Sequence, residues 1–272
     1  FYNINKMVIN LLELFDLSVT KNGDKIAIVD GTRTISFNDL DKKSDILSQK
    51  IHNIAESVNR PVAVFLPKCI EAVIANIAIM KSANIFMNLD VKTPGQRLSN
   101  IVDLIEPVLI ITDVKNVELI NEVSGKIPIL IIDDVNWEEN INKETVKQQW
   151  SSVIDTDPFC IINTSGSTGT PKGVVLNHLS FLDFIYRSHE AFNIGENEIM
   201  GSLSPLVFDI YVLELCMLMY RSATIVLLPA HLSAFPVKIL KIMQQQHVTF
   251  IFWVPTIMVN IANMGLLEKE PL

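Results

Sequence analysis

Cysteine is scarce and forms no pattern. The 272-residue chain has three, Cys69, Cys160 and Cys216. An odd count with no Cys-x-x-Cys pair disfavours both a disulfide framework and a zinc site. Each sits in or beside an apolar run, where a free thiol packs as a small hydrophobe, and a reducing, cytoplasmic setting is expected. Basic residues are outnumbered, 22 Lys and Arg against 30 Asp and Glu, for a net charge of −8. No long basic stripe offsets this, which excludes sequence-independent nucleic-acid binding. Long apolar runs are missing too. A membrane-spanning helix needs roughly 18 consecutive apolar residues; 69–80 is interrupted by Glu71 and Asn76, and 248–254 is only strand-length. The chain starts Phe1-Tyr2-Asn3 with no basic segment, so no signal peptide is expected, and the chain is expected to be processed, engineered or partial. The five histidines are scattered without metal-ligand spacing: His52, His189, His231 and His247 are expected on solvated faces or loops.

What is present is apolar surface. Hydrophobic residues make up 49% of the chain and mean hydropathy is +0.33, enough to bury a large core and incompatible with intrinsic disorder. Its length fits one large or two small domains. Non-alternating runs at 61–66, 107–112, 128–133, 159–163, 223–228 and 248–253 have the composition of strands buried on both faces. Helical spacing separates them. Over 67–83, Ile70, Val73, Ile74 and Ile77 form one stripe, closed by Lys81 in a last turn where a cation suits the helix dipole. Residues 38–58, 94–105 (with Thr93 as N-cap and Pro94 as first helical residue), 205–220 and 236–246 also read as helices. Strands separated by helices predict an α/β fold with a mostly parallel sheet. The polar stretch 133–158 reads as a surface excursion.

Glycine is also sparse, ten in all, below the usual share of roughly 7%. Three of them nevertheless fall close together in Thr164-Ser165-Gly166-Ser167-Thr168-Gly169-Thr170-Pro171-Lys172-Gly173. Such a loop suits an anion. Glycines let backbone N–H groups converge without a Cβ in the way, hydroxyls add donors, and Lys172 adds charge. The bland alternative, a flexible Ser/Thr/Gly turn, rarely has a buried strand before it and Pro-Lys-Gly after it. The spacing fits neither the Walker A loop nor the G-x-G-x-x-G fingerprint, which excludes P-loop NTPases and Rossmann dehydrogenases.

The stretch 164–173 closely resembles the phosphate-loop signature of the adenylate-forming superfamily, which includes acyl-CoA synthetases, luciferases, D-alanine–carrier-protein ligases and nonribosomal peptide synthetase adenylation domains. Further matches follow in the right order. Phe86-Met87-Asn88-Leu89-Asp90, then Pro94 and Arg97-Leu98, resembles the Tyr-Val-Pro-Leu-Asp-Pro pattern of the amino-acid-activating branch. Asp157-Pro158 stands before the loop strand, Val207-Phe208-Asp209 with Val212 resembles that branch's Phe-Asp-x-Ser-Val, and Val254-Pro255-Thr256 resembles a Pro-Pro-Thr. The departures are Asn163 where Tyr is usual, Tyr211 for Ser, and Met87-Asn88 for Val-Pro. None removes a charged or phosphate-facing group.

The resemblance implies two mostly parallel sheets flanked by helices, the first subdomains of an adenylate-forming enzyme. Residues 1–58 would be a helical segment packing on the second unit, 59–190 the first α/β unit with the phosphate loop, and 191–272 an incomplete second unit. It implies ATP with Mg²⁺ as cofactor, and phosphate contacts from Thr164, Ser165, Gly166, Ser167, Thr168, Gly169 and Lys172. The expected substrate is an amino acid, and the acyl acceptor a carrier-protein phosphopantetheine thiol. Asp209 would pair with the substrate ammonium, since a buried charge left alone is costly; as a local alternative, it caps a helix. Phe208 would wall the pocket, or else pack as a core aromatic. Ile210, Leu213 and Phe252 would line a small apolar pocket suited to glycine or alanine. His178 is expected to cap or pack rather than catalyse.

The chain contains no Tyr-Gly-Pro-Thr-Glu, Thr-Gly-Asp or Pro-x-x-x-x-Gly-Lys element, where the family keeps its magnesium ligand, ribose-binding Asp and catalytic Lys. The resemblance therefore implies a catalytic Lys beyond Leu272, the last residue, and none within the chain. The barrel and the C-terminal domain are expected to be absent, and the chain alone is expected not to complete adenylation. An acyl-CoA or aryl-acid ligase, or a non-catalytic nucleotide-binding fragment, are the alternatives.

Overall fold

Two sheets share one apolar core. The computed structural model describes residues 8–165 and 171–266. In chain order the elements are α1 (Leu11–Asn22), β1 (Ile26–Asp30), β2 (Arg33–Ser36), α2 (Phe37–Ala55), β3 (Pro61–Phe65), α3 (Ile70–Lys81), β4 (Ile85–Asn88), α4 (Gly95–Ile105), β5 (Leu109–Thr112), α5 (Val117–Ser124) and β6 (Ile129–Ile131). They continue with α6 (Lys143–Ser151), β7 (Pro158–Ser165), β8 (Pro171–Asn177), α7 (His178–Phe192), β9 (Ile199–Ser202), α8 (Asp209–Arg221), β10 (Thr224–Leu227), α9 (Pro236–Gln245) and α10 (Pro255–Asn263).

The larger sheet has the order β6-β5-β3-β4-β7-β8 and the smaller β2-β1-β10-β9. Neighbours are parallel except at the hairpins β7–β8 and β1–β2. The α/β expectation holds, and strands β3, β4, β5 and β10 are buried along nearly their whole length, as parallel strands covered on both faces should be.

Two helices run through the core. Helices α3 and α8 are apolar almost all round, the pattern of a fully buried helix, and both contribute to the cluster that joins the two sheets. A polar contact between them explains a departure in the motif. Tyr211 stands where the family has Ser; it is fully buried, and its hydroxyl accepts from Asn76 Nδ2 at 2.8 Å. Lys81, at the end of α3, is also buried. Its Nζ donates to Asp41 Oδ1 at 2.6 Å and Asp45 Oδ1 at 2.5 Å on α2, with the exposed Lys143 beside Asp41 at 3.3 Å. Burial alone would push both carboxyls up. The two lysines hold Asp41 below the usual carboxylate range, whereas burial prevails at Asp45 and raises it.

Several expectations need correction. Residues 133–158 lie largely at the surface but are anchored to the core: Val146 and Trp150, four apart on α6, are buried in it, and Asn10 Nδ2 donates to the Val153 carbonyl at 3.0 Å. The segment 1–58 is not purely helical, because β1 and β2 form a hairpin whose first strand pairs with β10. Residues 248–253 form no regular strand. Phe250 makes a single bridge to Met200, and the Trp253 indole N–H donates to the Gly201 carbonyl at 2.8 Å, occupying an acceptor that a ladder would use. Gly201 itself admits this segment: a Cβ there would meet Val248 at 3.1 Å and Ile251 at 3.2 Å. Pro94 is the N-cap of α4 rather than its first residue, and α3 starts after Cys69. Among the described residues, no helix is long and apolar enough to cross a membrane.

Candidate functional site

Parallel strands deliver their carboxyl ends to one side of a sheet, and ligands of open α/β folds bind in the crevice there. Here β4 and β7 of the larger sheet end beside the start of α8, which follows β9 of the smaller one. Between them lies a cleft of about 970 Å³. One wall is Asn88 to Arg97, the floor is Ile162 to Thr164 with Val174 and Leu176, and the far wall is Val207 to Ile210 with Leu213 and Phe252.

The cleft gathers all five residues expected around the substrate: Phe208, Asp209, Ile210, Leu213 and Phe252. Phe208 is 52% exposed and is no core aromatic. It is the N-cap of α8, so Asp209 is the first helical residue rather than the cap. The Asp209 carboxylate accepts from the Ile210 N–H at 2.9 Å, in the first turn where the helix dipole favours an anion. It is exposed and lines the cleft while standing in the first turn of the helix. Leu213 is buried, while Ile210 and Phe252 are half-buried.

The phosphate-loop residues divide. Thr164 lines the cleft and pairs across the β7–β8 hairpin with Lys172, whose carbonyl accepts from the Thr164 hydroxyl at 3.4 Å. Lys172 is exposed and is not among the residues lining the cleft. Ser165 pairs with Pro171 in the same hairpin. Gly166, Ser167, Thr168 and Gly169 lie outside the described residues. The strands on either side of those residues, β7 and β8, pair antiparallel. Gly173, on β8, is closely packed: a Cβ there would stand 2.7 Å from Ile105 Cδ1, a side-chain end that can shift, and 3.1 Å from Ile161.

Sequence reasoning missed other lining residues. Phe181 and Phe184 stack edge to face at 5.5 Å on α7 and reach the cleft; their i, i+3 spacing was the available signal. Lys92 and Arg97 stand at the rim with Asp90. Asn88, 4% exposed, donates through Nδ2 to the Leu206 carbonyl at 3.2 Å. Asn163, on the floor, has neither side-chain polar atom hydrogen-bonded among the described residues.

His178 packs, as expected. It is buried, its ring lies 5.2 Å from that of Phe159, and its Nδ1 accepts from the Leu11 N–H at 3.2 Å. Burial pushes its pKa down to about 4, with Asp157 opposing. Among the described residues, no group of three or more His, Cys, Asp or Glu could hold a metal ion. The described carboxylates thus form no cage for Mg²⁺. The described residues stop at Leu266, so Leu272, beyond which a catalytic Lys is expected, lies outside them. The nearest cleft cations, Lys92 and Arg97, sit on the wall of the larger sheet, and neither falls in the Pro-x-x-x-x-Gly-Lys pattern on which that expectation rests.

Comparison with known proteins bears on the family and the fold. The sequence pattern of the family described as AMP-binding enzyme matches residues 15–271. The chain is 27% identical, over 82% of its length, to the dimodular nonribosomal peptide synthase of Bacillus subtilis (strain 168), and 25% identical, over 90% of its length, to zwittermicin A synthase ZmaJ of Bacillus cereus. It spans only 9% and 46% of those two proteins. Among solved structures, holo-AB3403, a four-domain nonribosomal peptide synthetase bound to AMP and glycine, superposes with a TM-score of 0.77 at 21% identity. That match covers 91% of this chain and 18% of that one.

Proposed function

The chain belongs to the AMP-binding enzyme family, and from that premise we propose that it is the ATP- and amino-acid-binding part of an adenylating ligase. The observation that carries this reading is the convergence of Thr164, at the shoulder of the phosphate loop, and Phe208–Asp209, at the start of α8, on one cleft. A carboxylate at that point gives an α-ammonium its counter-charge, and the apolar Ile210, Leu213 and Phe252 beside it leave room for a small neutral side chain such as that of glycine or alanine. Hydrophobic walls of this kind discriminate by only about 1–3 kcal/mol per methylene, so related aliphatic amino acids would be accepted more weakly.

In the reaction we propose, a carboxylate oxygen of the amino acid forms a bond to the α-phosphorus of ATP as the bond to the β-bridging oxygen breaks, and pyrophosphate leaves with that electron pair. The chain's part is positional and electrostatic. Asp209 orients the amino acid. The hydroxyls and backbone N–H groups of 164–169, together with the Lys172 ammonium, meet the charge that builds on the leaving pyrophosphate. The resulting aminoacyl-adenylate would pass its acyl group to the phosphopantetheine thiol of a carrier protein. The three free thiols suit a reducing, cytoplasmic setting.

The test is amino-acid-dependent exchange of labelled pyrophosphate into ATP, on the longest polypeptide that carries these 272 residues. Glycine or alanine should support the fastest exchange. Exchange driven by a fatty or aryl acid in place of any amino acid would overturn the substrate class.

A further inference from the structure

The segment that places Phe208 and Asp209 in the cleft is fastened from the opposite sheet. It leaves β9 at Ser202 and enters α8 at Asp209, both parts of the smaller-sheet unit. Lys68, in the turn between β3 and α3 of the larger-sheet unit, reaches across. Its Nζ donates to the Ser202 carbonyl at 2.6 Å and the Ser204 carbonyl at 3.1 Å, with the Ser202 hydroxyl at 3.5 Å. Asn88, ending β4 of the same unit, donates to the Leu206 carbonyl at 3.2 Å. Carbonyls 202, 204 and 206 are thus held in alternation by two side chains of the other unit.

The charge on this latch is balanced from α8. Glu214 is fully buried, five residues after Asp209 on the same helix. Among the described residues, no hydrogen bond reaches either of its carboxylate oxygens at normal distance; the Ser202 hydroxyl and the Lys68 ammonium are its polar neighbours. Burial raises the Glu214 carboxyl and lowers the Lys68 ammonium, and each group's charge opposes that shift in the other. A buried carboxylate with so few partners is expensive in a core unless a cation faces it.

We propose that Lys68 and Asn88 are positioning residues that set the Phe208–Asp209 wall against the phosphate-loop side of the cleft. The functional half of this inference rests on the reading of Asp209 as the partner of a substrate ammonium. The latch itself does not.

The experiment has two arms. Lys68→Met alone would strand the Glu214 charge and could unfold the chain, so the working variant is the paired Lys68→Met/Glu214→Gln, with Asn88→Ala as an independent second. In hydrogen exchange on the 272-residue chain, the peptide covering 203–209 should exchange roughly tenfold faster or more in the paired variant, since bonds to a charged donor are lost, while β3 and β5 peptides keep their protection. In pyrophosphate exchange, KM for the amino acid should rise at least tenfold with KM for ATP unchanged. Unaltered exchange of 203–209 in both variants overturns the proposal. A loosened segment with an unchanged amino-acid KM also overturns it, because the latch would then serve only stability. If the wild-type protein activates no amino acid at all, the substrate reading fails instead, and the hydrogen-exchange arm decides the latch alone.

Discussion

Acid should loosen this protein at one identifiable contact. Helix α1 begins with its Leu11 N–H pointed at His178 Nδ1, which can accept only while that nitrogen is unprotonated. The imidazole is buried against Phe159 and opens α7, where the positive end of the helix dipole further disfavours a second proton. Its pKa falls from 6.5 to about 4, whereas in the unfolded chain it returns to the ordinary value. The unfolded state therefore binds the proton more tightly. The contribution is fully present above pH 6.5 and is lost as the pH falls toward 4. At about 1.4 kcal/mol per unit the whole window corresponds to about 3 kcal/mol, of which about 2 kcal/mol goes between roughly pH 7 and pH 5. Urea unfolding followed by tryptophan fluorescence at those two pH values gives the drop. In His178→Asn, whose amide oxygen can still accept from Leu11, the protein should be less stable at neutral pH, but its drop across the same interval should be smaller by about 2 kcal/mol. Equal drops in the two proteins, or an imidazole resonance titrating at the ordinary histidine value in the folded protein, would refute the reasoning.

Other consequences are as direct. Lys81→Met should cost roughly 3–5 kcal/mol in urea unfolding, because Asp41 and Asp45 lose their buried partner; Lys143→Ala, at the exposed edge of the same cluster, should cost under about 1 kcal/mol. Tyr211→Phe should cost about 1–3 kcal/mol, since the Asn76 amide N–H is left buried without an acceptor, and Asn76→Leu introduced with it should recover part of that loss. Asp209→Asn should raise KM for the amino acid in pyrophosphate exchange by roughly 100-fold, the scale expected when one member of a desolvated charge pair is removed, with little change in stability because the carboxylate is exposed. An unchanged KM would count against the ammonium-binding role.

The sequence spoke most clearly where a segment is buried on every side. The stripe Ile70, Val73, Ile74, Ile77 marked α3 and the run at 61–66 marked β3, because nearly every residue of both segments is buried and the few polar ones do not interrupt the apolar positions. It was weakest where a strand is short and held by something other than its own composition. Strand β9, Ile199–Ser202, contains a glycine and a serine and exists because β10 pairs with it along its length. The hairpin β1–β2 likewise depends on a partner far along the chain. In the cleft, Phe208, Asp209, Ile210, Leu213 and Phe252 could be placed from a motif. Phe181 and Phe184 could not, since each is an ordinary core-facing helix residue until the two sheets are brought together. The charges behaved in the same way. Lys81 read as a helix-terminal cation, and only packing turned it into the centre of a buried cluster.

The chain path of the smaller sheet constrains how the protein can be made. Ile28 pairs with Ile225, so every strand of the larger sheet is synthesised between the two partners. Local contacts cannot close that sheet, and long-range pairing is the slow part of folding. The β1–β2 hairpin must wait with one bare edge until Thr224–Leu227 emerges, whereas all six strands of the larger sheet lie between residues 61 and 177 and have emerged earlier. An uncapped strand held open during synthesis is a template for the wrong partner. The order of translation, rather than final stability, is therefore where this architecture is most exposed to misassembly.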